Sequence, residues 1–298
     1  MKKVAVLLLG SMVLTGCGSD ESSDSRASST YMGEIESVNT HADSMTVNAM
    51  ALSLSSAQIE LNGHRVSSSE LEIGMQVDVE YDDGIAYEVD IDPEIVGIVS
   101  EVTANTIKVN GQVLNTAKDF TVNNFKGKRV MLFGYADQNG NWTINSAYEI
   151  GSIPVQDLYE GKITSTPTLS SFNIGTMNVN YSNADVDSDD FDKLKQGVWV
   201  EVEGSYDETS KVFTAYDVDV EDDLDLANAE VEGYITTLTL HNNVGSMVLN
   251  GKTEILITEN TRFEDGIESS LKVTDKVEVD LVNYKGQLEA AEIELDND

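Results

Sequence analysis

Gly233-Tyr-Ile-Thr-Thr-Leu238 is the fourth statement of one phrase. Gly33-Glu-Ile-Glu-Ser-Val38, Gly97-Ile-Val-Ser-Glu-Val102 and Gly161-Lys-Ile-Thr-Ser-Thr166 precede it, so that a glycine of this kind returns every 64 to 72 residues. A repeat at a near-fixed period identifies a string of like units rather than one large fold. Between 28 and 38 residues on, each unit carries a second landmark. These are Leu71-Glu-Ile-Gly74-Met-Gln-Val77-Asp-Val79, Phe125-Lys-Gly127-Lys-Arg-Val130, Leu194-Lys-Gln-Gly197-Val-Trp-Val200-Glu-Val202 and Leu271-Lys-Val-Thr274-Asp-Lys-Val277-Glu-Val279. An apolar residue leads into a glycine turn and then into alternation. Thr274 stands where the other copies have Gly74, Gly127 and Gly197, so the turn must be reachable without glycine. A third landmark closes each unit: Tyr87-Glu-Val-Asp-Ile91, Tyr148-Glu-Ile150, Tyr216-Asp-Val-Asp-Val220 and Ala291-Glu-Ile-Glu-Leu295.

Alternation with period two marks strands that turn one face to a core and the other to water. Helical spacing is absent after the first fifteen residues. In the fourth unit the pattern predicts strands near 231–238, 246–250, 252–258, 276–282 and 287–295, with Asn250-Gly251 as a two-residue hairpin turn and Asn110-Gly111 as its counterpart in the second. Residues 259–270 cross between strands, with room for one helical turn. A unit of about 65 residues buries only ~60% of its unfolded surface, and closing its sheet removes exposed edges. The expected fold is all-β: four tandem small five-stranded β-barrels, OB-like or SH3-like, after a signal peptide and a flexible tether. The boundaries are 1–16 for the signal peptide, 17–30 for the tether, and 31–93, 94–152, 158–223 and 229–298 for the units.

The landmarks resemble those of the bacterial domain-of-unknown-function family 5666, whose pattern is Gly-x-Ile, then Leu-x-x-Gly-x-x-Val-x-Val, then Ala-x-x-Ile. The fourth unit fits through Gly233, Ile235, Leu271, Val277, Val279, Ala290 and Ile293. The first fits through Gly33, Ile35, Leu71, Gly74, Val77 and Val79, and the third through Gly161, Ile163, Leu194, Gly197, Val200 and Val202. The second is shortened before Gly127. The resemblance implies a β fold and an envelope setting. It implies no activity and no site residue.

Lys2 and Lys3 precede an apolar run from Val4 to Leu14, and Leu14-Thr-Gly-Cys17 follows. This is the layout of a secretory signal peptide. Its end resembles the lipobox of bacterial lipoproteins, with Cys17, the chain's one cysteine, as the residue that takes the lipid. The apolar run is too short for a permanent membrane span, while two or more acyl chains anchor firmly. Gly18 in the following position, where Asp is absent, favours the outer membrane by resemblance to the usual sorting pattern. Residues 18–30 are rich in Ser, Asp and Glu and read as a tether reaching roughly 20 Å. A single cysteine allows no intramolecular disulfide.

The formal net charge is −35, from 18 basic and 53 acidic residues. Such a surface repels phosphate backbones and excludes nucleic acid as the default partner. The second unit is the exception, with five acidic and five basic residues; Lys126, Lys128 and Arg129 cluster at its landmark turn as a docking point for an acidic neighbour or an anionic ligand. The densest acidic run, Asp185, Asp187, Asp189, Asp190 and Asp192, is a candidate for weak Ca2+ binding, although it departs from the EF-hand pattern at Asp190 and Gln196. His41, His64 and His241 fall in turns without zinc-ligand spacing. Parity along its strand turns Trp199 to solvent, and with Trp142 it is the candidate aromatic contact for a polysaccharide or peptide. No nucleophile elbow, triad or cofactor motif occurs. The reading is therefore a non-catalytic, lipid-anchored envelope protein, a structural or binding array whose partners are the membrane and an envelope protein or polysaccharide. The alternatives are a polysaccharide- or peptide-binding lipoprotein, a divalent-cation-binding protein, and an enzyme with a site between units.

Overall fold

A computed structural model describes residues 29–118, 120, 125–151, 153–221, 223–264 and 270–296 of the 298-residue chain. Cys17, the apolar run before it and most of the tether lie outside these residues. Repeat one holds β1 (Ser29–Glu34), β2 (Ser37–Asn39), β3 (Ser44–Val47), β4 (Met50–Ser53), β5 (Gln58–Leu61), β6 (His64–Arg65), β7 (Gln76–Asp82) and β8 (Ile85–Ile91). Repeat two holds β9 (Ile95–Val102), β10 (Thr106–Val109), β11 (Gln112–Thr116), β12 (Arg129–Ala136) and β13 (Trp142–Glu149). Repeat three holds β14 (Asp157–Lys162), β15 (Ser171–Ile174), β16 (Met177–Asn180), β17 (Asp185–Val186), β18 (Trp199–Asp207) and β19 (Val212–Val220). Repeat four holds β20 (Glu230–His241), β21 (Val244–Leu249), β22 (Thr253–Ile257), β23 (Arg262–Phe263), β24 (Lys276–Asn283) and β25 (Leu288–Leu295). The chain is all-β. One α-helical turn, α1 (Ser188–Phe191), and two short 3-10 turns are the helical elements among the described residues.

The pairing follows one plan in every repeat, although in repeat three the first and second strands meet only through the isolated bridge Ile163–Ile174. In repeat two, β9 pairs β10, β10 pairs β11, β11 runs parallel to β13, β13 pairs β12, and β12 pairs β9. In repeat four, β20, β21, β22, β25 and β24 follow the same path back to β20. One interaction makes the return. In each repeat the first strand pairs one neighbour up to its Gly-x-Ile and another beyond it. At that corner the backbone N–H of the second-landmark turn donates to the carbonyl of the apolar residue two after the repeat glycine. Gly74 donates to Ile35, Gly127 to Val99, Gly197 to Ile163 and Thr274 to Ile235, each at 2.8 Å. The turn residue needs positive φ: +87° at Gly74, +81° at Gly127, +95° at Gly197 and +80° at Thr274.

The repeat glycines answer a second need. A Cβ at Gly97 would lie 2.7 Å from Val109 Cγ1, and one at Gly161 would lie 2.6 Å from Ile174 Cγ2. At Gly233 it would meet Asn250 Nδ2 at 2.9 Å. At these three glycines the first strand thus passes the second strand or the turn after it too closely for a side chain.

The expectation of four separate small barrels is corrected. The repeats are fused in two sheets. Repeats one and four share a 14-stranded sheet through the parallel pair β1–β20, and repeats two and three share an 11-stranded sheet through the antiparallel pair β9–β14. The cores fuse too. Ile107, Leu132, Trp142, Phe172, Val200 and Phe213 of repeats two and three belong to one cluster, while Val96, Met131, Phe133 and Leu158 join the core of repeat one. Repeat four keeps its own core around Ile235, Met247, Val279 and Ile293. Units this small leave apolar area uncovered when isolated, and sharing a face covers it.

Thr274 tests the corner. A β-branched residue at φ +80° is strained by about 1–3 kcal/mol, whereas glycine adopts this conformation freely. Thr274→Gly should stabilise the protein by about 1 kcal/mol, part of the relief being offset by the freer unfolded chain. Gly74→Thr should destabilise it by a similar amount. Urea denaturation of both variants checks this; a Thr274→Gly variant no more stable than the parent would show that the turn is not strained.

Candidate functional site

The two tryptophans read as exposed candidates are buried. Trp199 is 7% and Trp142 2% exposed, and their rings meet edge to face at 6.0 Å. Parity did place Val200 and Val202 on the inner face of β18. The other face is covered by repeat four: Trp199 Nε1 donates to Gly251 O at 3.1 Å. Trp142 Nε1 donates to Glu160 O at 3.1 Å. An aromatic contact surface around Trp199 and Trp142 is therefore replaced by a packed seam.

The basic cluster divides. Lys126 is exposed, Lys128 pairs with Glu149 of its own repeat at 2.5 Å, and Arg129 pairs with Asp157 at 2.6 Å. Arg129 also donates to Val155 O at 3.0 Å. Its guanidinium thus fastens the start of repeat three to repeat two. In the acidic run, Asp185 lies on β17 beside β19, Asp187 caps α1, and Asp190 pairs with Lys193 at 3.1 Å. Asp192 ends the helical turn, and the Asp189 side chain lies outside the described part. Among the described residues no three His, Cys, Asp or Glu side chains converge as a metal site. His41, His64 and His241 are exposed.

The structure assembles a site that the sequence reading missed, where the Asn250-Gly251 hairpin of repeat four enters the cleft between repeats two and three. Ala136 N donates to Asn250 O at 3.2 Å, and Tyr135 stacks on Tyr234 at 4.4 Å. Lys252 Nζ lies 2.5 Å from Glu160 Oε1. Burial raises the Glu160 carboxyl above the usual carboxylate range, although Lys252 pulls it back. Burial opposes the Lys252 ammonium, but Glu160, Glu221 and Asp92 outweigh it and raise its pKa. Glu94, wholly buried beside Glu160 and accepting from Gly134 N at 3.2 Å, is raised well above its ordinary value, first by desolvation and then by Glu160. Two acids and one ammonium in a largely enclosed seam hold a repeat in place. The signal was present in Glu160, an acid that follows Leu158 and Tyr159 directly before a repeat glycine.

A second arrangement is an acid ladder in each acidic repeat. The second and third landmarks are antiparallel neighbours, and their register sets carboxylates opposite one another. Asp78 faces Asp90 and Glu80 faces Glu88. Glu201 faces Asp219 and Glu203 faces Asp217. Glu278 lies between Glu232 and Glu294, and Asp280 faces Glu230 and Glu292. Like charges directly opposite are destabilising. Burial, then Asp92 and Asp90, push Asp78 up to about 7. Burial, then Glu230 and Glu232, push Glu278 up to about 8.

The Glu160–Lys252 pair makes a double substitution decisive. Glu160→Gln or Lys252→Met alone strands a partly buried charge and should lose roughly 2–4 kcal/mol of stability. Glu160→Leu with Lys252→Met should lose less than either single change, as read by denaturant unfolding. Simple addition of the single losses would show that the pair is not a unit.

A comparison with curated proteins finds no match. Residues 160–219 and 232–294 each match the family described as Domain of unknown function (DUF5666). These stretches run from the repeat glycine region to the closing strand of repeats three and four, so the family's pattern is the strand path described above. The corner hydrogen bond and the glycine packing explain why that pattern is spaced as it is, and repeats three and four are thus similar to that family in two tandem regions.

Proposed function

We propose that this is a non-catalytic, lipid-anchored protein of the cell envelope, in which fused β repeats form a structural or binding array held off the outer membrane by a short tether. The observation that carries the reading is the use of reactive side chains as joints. Trp142, Trp199, Tyr31, Glu160 and Glu232 are buried between repeats. Arg129, Lys252 and Lys276 each pair across a repeat boundary. What remains outward is the acidic, alternating face of the closing strands. The finer fold reading belongs here as well. Each repeat is a closed five-stranded barrel, and the parallel pairing of its third and fifth strands, seen in β11–β13 and β22–β25, favours the OB-like over the SH3-like order. The partner of the array is an envelope protein or polysaccharide, and nucleic acid is repelled by the charge.

The anchor supports the localisation through Leu14-Thr-Gly-Cys17, and β1 begins at Ser29, only a dozen residues later. Replacing Cys17 by Ser should release the protein from pelleted membranes into the soluble envelope fraction and abolish labelling with palmitate. A Cys17→Ser protein that still pellets after a high-salt wash would rule out the lipid anchor.

A further inference from the structure

Of the four first strands, β20 alone runs on well past its corner. It is the longest described strand, at 12 residues, and six of them, residues 236–241, follow Ile235. The other repeats blunt the same stretch. β2 has three residues, β9 ends three residues after Val99 and carries the exposed Glu101, and in repeat three Pro167, which has no N–H, follows Ile163 by four. Short strands, charges and proline are the means by which a sheet protects its edge. Residues 234–251 contain no Asp, Glu, Lys or Arg. β20 pairs β21 here, from Thr237 opposite Val248 to His241 opposite Val244, round the two-residue turn Asn242-Asn243 with φ of +53° and +62°. Beside such a turn the flanking pair exchanges both its hydrogen bonds, and alternate residues then face the same neighbour. His241, Thr239 and Thr237 therefore bond β21, and the N–H and C=O groups of Leu238 and Leu240 point to the opposite side. On that side β24 pairs β20 only as far as Tyr234, and Thr274 and Asp275 hold Ile235. Beyond Ile235 no backbone partner reaches this edge among the described residues. The side chains of Leu238 and Leu240 are half-buried on the core of repeat four, while Thr239 and His241 are exposed.

We propose that the outer edge of β20 over residues 236–241 is a docking site for an extended, basic segment of a partner protein, which joins the sheet as one more strand. Leu238 and Leu240 offer donors and acceptors at strand spacing, which a peptide backbone matches and a sugar chain does not. Charge selects among peptides. Repeat four carries 15 acidic and five basic residues, and the whole chain has a net charge of −35. A second copy of the chain would approach against that charge, whereas a segment bearing Lys or Arg is drawn to it. Side chains of an added strand alternate between the two faces. Its apolar residues would continue the row of Leu238 and Leu240 along the core, and its basic residues would lie on the outer face beside Thr237, Thr239 and His241. The site narrows the proposed binding array to one edge of repeat four and needs no lipid anchor. Membrane pelleting tests the anchor, and peptide binding tests the edge, so that one can fail without the other.

The probe is a short fluorescent peptide of alternating lysine and valine, titrated into the full chain and followed by anisotropy. It should bind, and a peptide of alternating glutamate and valine should not. At saturation the amide exchange of Leu238 and Leu240 should slow about tenfold, while that of Thr237 and Thr239, already bonded to β21, should hold. Leu238→Pro removes an outward N–H without touching the β21 ladder, as proline does on natural edges, and should weaken binding about tenfold. Thr239→Lys, at an exposed position, sets a like charge beside the peptide and should weaken it severalfold if the proline variant folds poorly. Binding that leaves the Leu238 and Leu240 amides unslowed is mere attraction to the acidic surface and overturns the site. Equal affinity in the parent and both variants overturns it too. A chain that sediments as a dimer, and as a monomer once Leu238→Pro is made, gives the edge to a second copy and overturns the basic partner.

Discussion

One backbone hydrogen bond, made four times, sets the geometry of this protein. The turn residue of the second landmark donates to the carbonyl at the Gly-x-Ile corner, at Ile35, Val99, Ile163 and Ile235. There the first strand leaves one neighbour for another. A backbone carbonyl at a corner loses its ladder partner, and at these four buried residues an orphan would be costly. The positive-φ turn aims its N–H at that carbonyl. With the corner fixed, the first strand lies against the second on one side and the fourth on the other, and the path returns to its start. The bare surface of the repeat glycine lets the crossing be close.

Closing the path leaves each repeat with an outer face, and the outer faces decide the assembly. Where they are apolar they pack: Phe133 and Met131 of repeat two enter the core of repeat one, and Trp199 of repeat three meets the hairpin of repeat four. Where they are acidic they pack less completely, although burial still raises Asp78 and Glu278. The hairpins between the second and third strands act as the connecting tips. Asn110 donates to Val96 O and Leu158 O, tying repeats two and three, and Asn250-Gly251 closes over repeats two and three from repeat four.

These features were unequally legible in the sequence. Period-two alternation located the strands of repeat four within a few residues, since burial on one face dictates it. The landmarks placed the turns, and Thr274 was read rightly as a turn without glycine; that it shares the positive φ of Gly74 required coordinates. Trp199 marks the limit. Alternation tells which side of a strand a residue is on, but whether that side meets water depends on contacts 52 residues away along the chain. Lys252 is silent for the same reason: it opens a predicted strand, and only the placement of repeat four against repeat three pairs it with Glu160. The seams carry no periodic signal because each is made by different residues. Cys17 and its lipobox are legible only in the sequence, since they precede the described residues.

The distribution of the few cations completes the physical account. A chain with 53 acidic and 18 basic residues cannot pair its charges everywhere. Three cations stand at three different joints: Arg129 on Asp157 between repeats two and three, Lys252 on Glu160 between three and four, and Lys276 on Glu34 and Glu232 between four and one. Each is at most about a quarter exposed, whereas Lys128 and Lys211, which pair within their own repeats, are largely solvated. Salt screens the exposed pairs and acts less on the enclosed ones. It also screens the repulsion along the acidic faces, which are open to solvent. Added salt therefore relieves the faces while largely sparing the joints, so that ionic strength acts on the strain within the repeats more than on their assembly.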